Sequence, residues 1–267
     1  MITEIKDIDY ARDAGTALSL DLYLPRDKPG VPLVVWVPGG AWQFGSKQNV
    51  HTALVEHGFA LASIDIRQAP AADVLAQVHE IKAAIRFLRA NAGRYGYRGD
   101  RIAIWGMSSG GHLAALVGTS NGNRELEGTV GDYTNVDSGV QAIVDFFGPT
   151  NLLTILPLST PHGLSVRVPA LKALLGKPVE DPSVQDLARL ASPVYQVDKG
   201  DPPLLIMHGV QDNQVPINQS LELQGAYQAQ GLDVELHLVP GVGHMDQIYY
   251  TPPYTEILAR FLSRVLQ

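Results

Sequence analysis

An α/β sandwich built on a mostly parallel sheet is the fold class this sequence predicts, and three observations predict it. Short β-rich runs alternate with stretches of helical period through most of the chain. The central runs are apolar throughout, as expected of strands whose two faces are both covered by helices. The earliest run instead alternates with period two, which suits an antiparallel strand with one wet face. Antiparallel strands followed by βαβα alternation give an α/β protein.

Residues 18–24 carry the period-two pattern. The β-rich runs are 33–37, 60–64, 102–105, 143–147, 204–207 and 234–239. Between them Val74, Val78, Ile81, Ile85 and Leu88 recur at helical spacing, and Asn91-Ala92-Gly93 ends the stretch. Residues 220–230 and 255–266 read the same way, with Gly231 a C-terminal stop for the first. Residues 149–203 break the pattern: they hold many prolines, no clear strand, and one convincing helical piece at 168–175. So long an excursion is expected to be a functional lid. The plainer alternative is a surface insertion that only packs.

The 267 residues suffice for one large domain or two small ones. With 45% hydrophobic and 18% charged residues the chain is neither disordered nor fibrous. Its formal charge of −7 gives no general field for nucleic acid. No apolar run reaches the length of a membrane span. The lack of cysteine excludes disulfides, thiol nucleophiles and Cys-bound zinc. The first residues lack a basic segment followed by an apolar one, so the chain as written is expected in the cytoplasm. A secreted or periplasmic protein already trimmed of its signal peptide would read the same.

Gly106-Met107-Ser108-Ser109-Gly110 fits the G-x-S-x-G nucleophile elbow. At ordinary glycine usage the string arises by chance in roughly one chain in ten of this length, so its context decides. The run at 102–105 comes immediately before it, and a helical stretch from Gly110 comes immediately after. Such a turn lifts a serine hydroxyl clear of the sheet and aims a helix N-terminus at developing negative charge. The bland reading is a Gly/Ser-rich helix cap.

A serine hydroxyl needs a base to take its proton. Among eight histidines, His244 lies in Pro240-Gly241-Val242-Gly243-His244, a turn after the last β-rich run. His237 and His208 lie within or at the end of runs and read as structural. His112, four residues after Ser108, reads as packing or as a hydrogen bond behind the site. Asp212 follows the 204–207 run, where a carboxylate can orient His244 and stabilise its imidazolium; the alternative is a helix cap. The order Ser108, Asp212, His244 differs from the two common protease orders. Pro38-Gly39-Gly40-Ala41-Trp42 follows the 33–37 run. There the N–H groups of Gly40 and Ala41, with that of Ser109, form a candidate oxyanion hole; a plain Gly-rich turn is the alternative. Trp42 and Tyr249 are the candidate substrate contacts, aromatics beside the loop and after His244.

On these residues the chain resembles the α/β-hydrolase superfamily. More narrowly it is similar to the esterases related to hormone-sensitive lipase, especially the bifunctional feruloyl and acetyl-xylan esterase-like group. The resemblance runs from about Leu18 to the C-terminus. It rests on residues 38–42, on 99–102 leading into 105–114, on Phe147-Gly148-Pro149-Thr150, and on the surroundings of Asp212 and His244. It implies one α/β-hydrolase domain over 1–267, with a mainly parallel eight-stranded sheet, helices on both faces and a small irregular lid-like insertion at about 149–203. It also implies no metal, no cofactor and hydrolysis of carboxylic esters. Related esterases commonly read His-Gly-Gly-Gly or His-Gly-Gly-Ala where this chain has Pro38-Gly39-Gly40-Ala41. Proline has neither an imidazole nor an N–H, but the proposed donors lie two and three residues later.

The expected activity is therefore that of a serine carboxylesterase acting on short-chain or aryl esters, acetyl or feruloyl esters of plant polysaccharide included. Ser108 is the nucleophile, His244 the base and Asp212 its orienting acid. Activity is expected to fall below about pH 6–7 as His244 gains a proton. An aryl-formamidase with the same triad order and a non-catalytic hydrolase-fold binding module are the alternatives. The expected partners are a small-molecule or glycan ester and, through the C-terminal helix or an edge strand, a second copy in a homodimer; neither nucleic acid nor a membrane span is expected.

Overall fold

The computed structural model describes residues 1–266. Its strands are β1 (Ile2–Asp13), β2 (Thr16–Pro25), β3 (Val31–Val37), β4 (Ala60–Ile64), β5 (Tyr97–Met107), β6 (Ala142–Phe146), β7 (Leu204–Gly209) and β8 (Val234–Val239). They form one sheet in the order β1-β2-β4-β3-β5-β6-β7-β8. β2 pairs antiparallel with both β1 and β4, and every pairing from β4 through to β8 is parallel. The expected mostly parallel eight-stranded sheet is thus present, with an antiparallel hairpin along one edge.

The helices are α1 (Ala53–Glu56), α2 (Val74–Ala90), α3 (Ala92–Tyr95), α4 (Ser109–Gly118), α5 (Arg124–Glu127), α6 (Pro161–Leu175), α7 (Gln185–Leu190), α8 (Asn218–Gln230) and α9 (Tyr254–Leu266). α2 starts where the Asp73 carboxylate accepts from the Ala76 N–H at 2.9 Å, a cap that satisfies one of the helix's free donors. Its stripe of Val74, Val78, Ile81, Ile85 and Leu88 is wholly buried. α8 ends at Gly231, whose φ of 72° suits glycine.

Alternate strand residues divide the core in two. Leu33, Val35, Ile102, Ile104, Leu204 and Ile206 face a layer that includes α2, α4, α6 and α8. Val34, Trp36, Ala103, Trp105, Leu205 and Met207 face α1 and α9. Helices on both faces explain why the central runs are apolar throughout. None of the described helices is long and apolar enough to cross a membrane.

Two elements depart from the pattern reading. β1 goes unmarked by it because register shifts between Ile5 and Ile8 and between Asp9 and Ala11 interrupt the alternation. Between residues 149 and 203 no strand forms, as expected, but α6 begins at Pro161 rather than at 168. Thr160 caps it, its hydroxyl accepting from the Gly163 N–H at 3.0 Å, and Pro161 occupies a first-turn position where no N–H is needed.

Candidate active site

Ser108 sits where β5 turns into α4, at φ 54° and ψ −124°. That conformation is strained for a residue with a side chain, and the surroundings hold it. The Ser108 N–H donates to the Phe146 carbonyl at 2.8 Å, and the Ser108 carbonyl accepts from the His112 N–H at 3.0 Å. Glycine is required on both sides. A Cβ on Gly106 would overlap the Gly110 carbonyl, and one on Gly110 would meet backbone of Val37 and Pro38.

The loops after β7 and β8 bring two more side chains to the same end of the sheet, outside the carboxyl ends of the strands where α/β proteins bind ligands. His244 Nε2 lies 2.9 Å from Ser108 Oγ, and its Nδ1 lies 2.7 Å from Asp212 Oδ2. Asp212 is fixed in turn. Its Oδ1 accepts from the backbone N–H groups of Gln214 at 2.8 Å and Val215 at 2.9 Å. His208 Nε2 stands 3.4 Å from Oδ2, and the same nitrogen faces the Val215 carbonyl at 3.0 Å while Nδ1 meets the Ser220 hydroxyl at 2.7 Å. A nitrogen facing two acceptors carries the hydrogen, so His208 braces the carboxylate from behind. The run at 204–207 marks His208 only as a strand end, and its contact with Asp212 depends on a turn the pattern does not resolve.

Burial alone would raise the Asp212 carboxyl, but hydrogen bonds from His208 and His244 outweigh it and hold the group well below the ordinary carboxylate range. Burial pushes His244 down, Asp212 pulls it up, and the nearby Arg167 charge pushes it down again; the net direction is down. The inflection expected near pH 6–7 from an unshifted histidine therefore moves lower.

Beside the elbow, residues 38–45 fold into a tight loop closed by the Gln43 and Phe44 N–H groups, which donate to the Gly40 carbonyl at 3.0 and 2.9 Å. Ala41 and Trp42 both hold positive φ, 53° and 60°. Among the described residues the N–H groups of Gly40 and Ala41 have no backbone acceptor, and Ser109, the first residue of α4, has none within its helix. All three belong to the segments that flank Ser108.

Trp42 does not face substrate, contrary to expectation. It is 1% exposed, and its indole N–H donates to His112 Nδ1 at 2.9 Å. His112 Nε2 then donates to the Ala191 carbonyl at 2.7 Å. Burial pushes the His112 imidazole down to about 4, so it stands neutral between the two. The Trp42 carbonyl accepts from the Ala69 N–H at 2.8 Å and the Gln77 amide at 3.1 Å. Tyr249 is likewise 1% exposed, packed on Phe147 with ring centroids 4.8 Å apart. An indole with a buried partner and a phenol wedged among aromatics are anchors for the loops that carry them.

A cavity of about 570 Å³ opens at Ser108 and His244. Phe44 and Tyr250 are the aromatics that reach it, with Trp36 and Met107 deeper and Asn49, His51, Gln214 and Gln247 supplying polar groups. Tyr250 stacks on His51 at 3.4 Å between centroids. α6 contributes Val166 and Arg167 to the wall. No cluster of three or more His, Cys, Asp or Glu side chains able to hold a metal occurs among the described residues.

Comparison with known proteins points the same way. A profile of the BD-FAE family matches residues 20–227. Esterase LipC of Mycobacterium tuberculosis is 31% identical over 258 residues, which cover 92% of this chain and 62% of LipC. Among solved structures, a truncated form of a carbohydrate esterase from gut microbiota is 32% identical with a TM-score of 0.84, covering 98% of this chain and 95% of that one. A bifunctional GH43-CE protein of Bacteroides eggerthii is 35% identical with a TM-score of 0.89, covering 99% of this chain and 35% of that one. The chain spans between half and two thirds of the length of the first curated relatives it matches.

Proposed function

The chain belongs to the BD-FAE family of α/β-hydrolase esterases, and from that premise we propose that it is a serine carboxylesterase with Ser108, His244 and Asp212 as its triad. The observation that carries this reading is the unbroken chain from Ser108 Oγ through His244 to Asp212, at 2.9 and 2.7 Å, at the wall of an open cavity.

In the proposed reaction Ser108 Oγ attacks the ester carbonyl carbon while its proton passes to His244 Nε2. Asp212 stabilises the imidazolium so formed. The carbonyl oxygen, now negative, takes hydrogen bonds from the N–H groups of Gly40, Ala41 and Ser109; losing one such donor costs about 3–4 kcal/mol of barrier in comparable sites. Collapse of the intermediate expels the alcohol, which leaves with the proton from His244. Water then gives its proton to His244 and attacks the acyl-enzyme, releasing the carboxylic acid and restoring Ser108.

The substrate reading is a short acyl or aryl ester, with carbohydrate on one side of the bond. It is supported by the modest cavity, by its mix of aromatic and polar side chains, and by the carbohydrate esterase named among similar structures. The strandless segment 149–203 acts in this reading as a lid-like wall rather than as a cap for long chains.

The test is a set of initial rates on p-nitrophenyl acetate, butyrate, octanoate and palmitate, followed by acetylated xylan and methyl ferulate. Rates are expected to fall from acetate to palmitate, and Ser108→Ala is expected to lose about 10⁴-fold or more. Turnover of an aryl formamide with none of the esters would move the function to formamide cleavage. An unreduced rate in Ser108→Ala would remove the serine mechanism.

A further inference from the structure

The fold pairs its buried cations with care, and one of them is left over. Lys47 meets Asp7 at 2.5 Å and Asp21 at 2.8 Å. Lys82 and Arg86 both reach Glu127, at 3.0 and 2.5 Å. Arg167, on α6, is 1% exposed yet has no carboxylate within ion-pair distance among the described residues. Its Nε and Nη1 are buried and have no hydrogen-bond partner among the described residues. Among the described residues Nη2 donates to Gln214 Oε1 alone, at a long 3.4 Å, and the guanidinium carbon lies 5.9 Å from the centre of the Trp42 ring. Burying a charge that no carboxylate touches is costly. Asp212 acts on Arg167 only from beyond ion-pair distance, and buried donors without a protein partner call for an explanation, which a ligand's acceptor would supply.

Arg167 belongs to the wall of the cavity that holds Ser108 and His244. Among the described residues lining that cavity it is the one Lys or Arg, and no Asp or Glu lines it. In a protein of formal charge −7, a single buried guanidinium thus stands behind the wall of the cavity that holds Ser108. Gln214 lines the same wall and is only partly buried, so its weak contact with Nη2 can give way to a stronger acceptor.

Accepting the esterase reading, we infer that Arg167, with Gln214, is a recognition site for a carboxylate carried by the substrate. The preferred esters are then acidic ones: monoesters of dicarboxylic acids, where the carboxylate lies on the acyl side, or acyl esters of an acidic alcohol such as a uronic-acid-bearing glycan. A carboxylate in that wall makes a charge-assisted hydrogen bond that a neutral isostere cannot.

Two matched pairs of esters distinguish the sides, followed by proton release. Monoethyl succinate against ethyl butyrate places the charge on the acyl group; 4-acetoxybenzoate against phenyl acetate places it on the alcohol. Turnover of the two neutral esters tests the esterase reading alone, and the ratio within each pair tests Arg167. In the wild-type protein the charged member of one pair is expected to exceed its neutral partner by about tenfold or more in kcat/KM, mainly through KM. Arg167→Gln is expected to bring that ratio to about one, and Arg167→Lys to restore part of it. Neutral esters turned over with no preference for the charged member of either pair would overturn the proposal, and this needs no variant to fold. An Arg167→Gln protein that loses rate equally on both members of the preferred pair, keeping the wild-type ratio, would also overturn it and leave Arg167 a structural residue.

Discussion

At the turn that carries Ser108 a Cβ on Gly106 would overlap the Gly110 carbonyl, and one on Gly111 would strike the Asp145 carboxylate; the shape of that turn depends on side chains that are missing. The neighbouring loop at 38–45 also needs glycines, since a Cβ on Gly40 would come within 2.6 Å of the Phe44 carbonyl oxygen. Its orientation, however, comes from side chains that are present. Trp42 is tied to His112 through its indole and to Gln77 through its carbonyl, and His112 is tied onward to Ala191. Both segments keep non-glycine residues at positive φ next to the proposed reaction centre, Ser108 in one and Ala41 and Trp42 in the other. A turn held by close backbone approach has no slack, whereas a loop held by a hydrogen-bonded strut can be loosened one contact at a time.

That difference sets the largest expected effect. Gly106→Ala forces backbone against backbone, so the turn has to open and Ser108 Oγ moves away from His244 Nε2. Misplacing a reacting group by about 1 Å costs on the order of 100-fold in rate, and a loss of that size or greater in ester hydrolysis is expected. Gly225→Ala, on α8 with nothing within 4 Å of the added carbon, is the control and is expected to retain the wild-type rate. Labelling by a fluorophosphonate, read beside the circular dichroism of each protein, separates a displaced serine from an unfolded chain. A Gly106→Ala protein that labels at the wild-type rate would mean that the turn tolerates what the geometry forbids.

The strut should yield more gradually. Trp42→Phe removes the donor and keeps an aromatic ring, while His112→Leu removes the acceptor and leaves the indole N–H buried and unpaired. Each is expected to lower kcat by about tenfold, with little change in KM, because the loop would carry its N–H groups to the wrong place as charge develops. If the two residues act through one hydrogen bond, the double variant costs less than the two single losses combined. Losses that add in full, or that fall on melting temperature and leave kcat untouched, would show that the strut only packs.

The same contrast governs what could be read in advance. The elbow is a local string flanked by a β-rich run and a helical one, so Gly106, Ser108 and Gly110 stand out from the sequence, as do the sheet and most of its helices. Asp212 and His244 follow from chain order and from the runs that precede them. The strut is invisible in this way because Trp42 and His112 lie 70 residues apart and neither belongs to a pattern that requires the other. Pro38 draws attention to a missing imidazole; Trp42 read as a substrate contact because an aromatic beside a catalytic loop gives no sign of which way it points. Arg167 was hidden for another reason. It lies on a helix whose first turn contains a proline, in a segment that lacks hydrophobic periodicity before residue 168, so nothing marks it as buried.

The remaining expected effect falls on stability and not on rate: it concerns pH and tests whether the strut is neutral, as its hydrogen bonds require. Burial pushes the folded-state pKa of His112 down to about 4, from 6.5 in an unfolded chain. Between those values the unfolded chain binds a proton that the folded one excludes. The stability linked to a neutral His112 is therefore complete above pH 6.5 and is lost as the pH falls towards 4. A difference of 2.5 units corresponds to about 3 kcal/mol. Asp145 works in the opposite direction, since burial raises it to about 7 and its protonated form loses its advantage as pH rises from about 4 to 7. Because Asp145 is common to both proteins, its contribution cancels when wild type is compared with His112→Leu. Urea unfolding at pH 7 and pH 4.5 should then find the wild type ahead by less at the lower pH, the gap having narrowed by about 2–3 kcal/mol. A gap that holds constant between the two would mean that His112 exchanges its proton as freely in the folded protein as in the unfolded chain, which an imidazole closed between Trp42 and Ala191 cannot do.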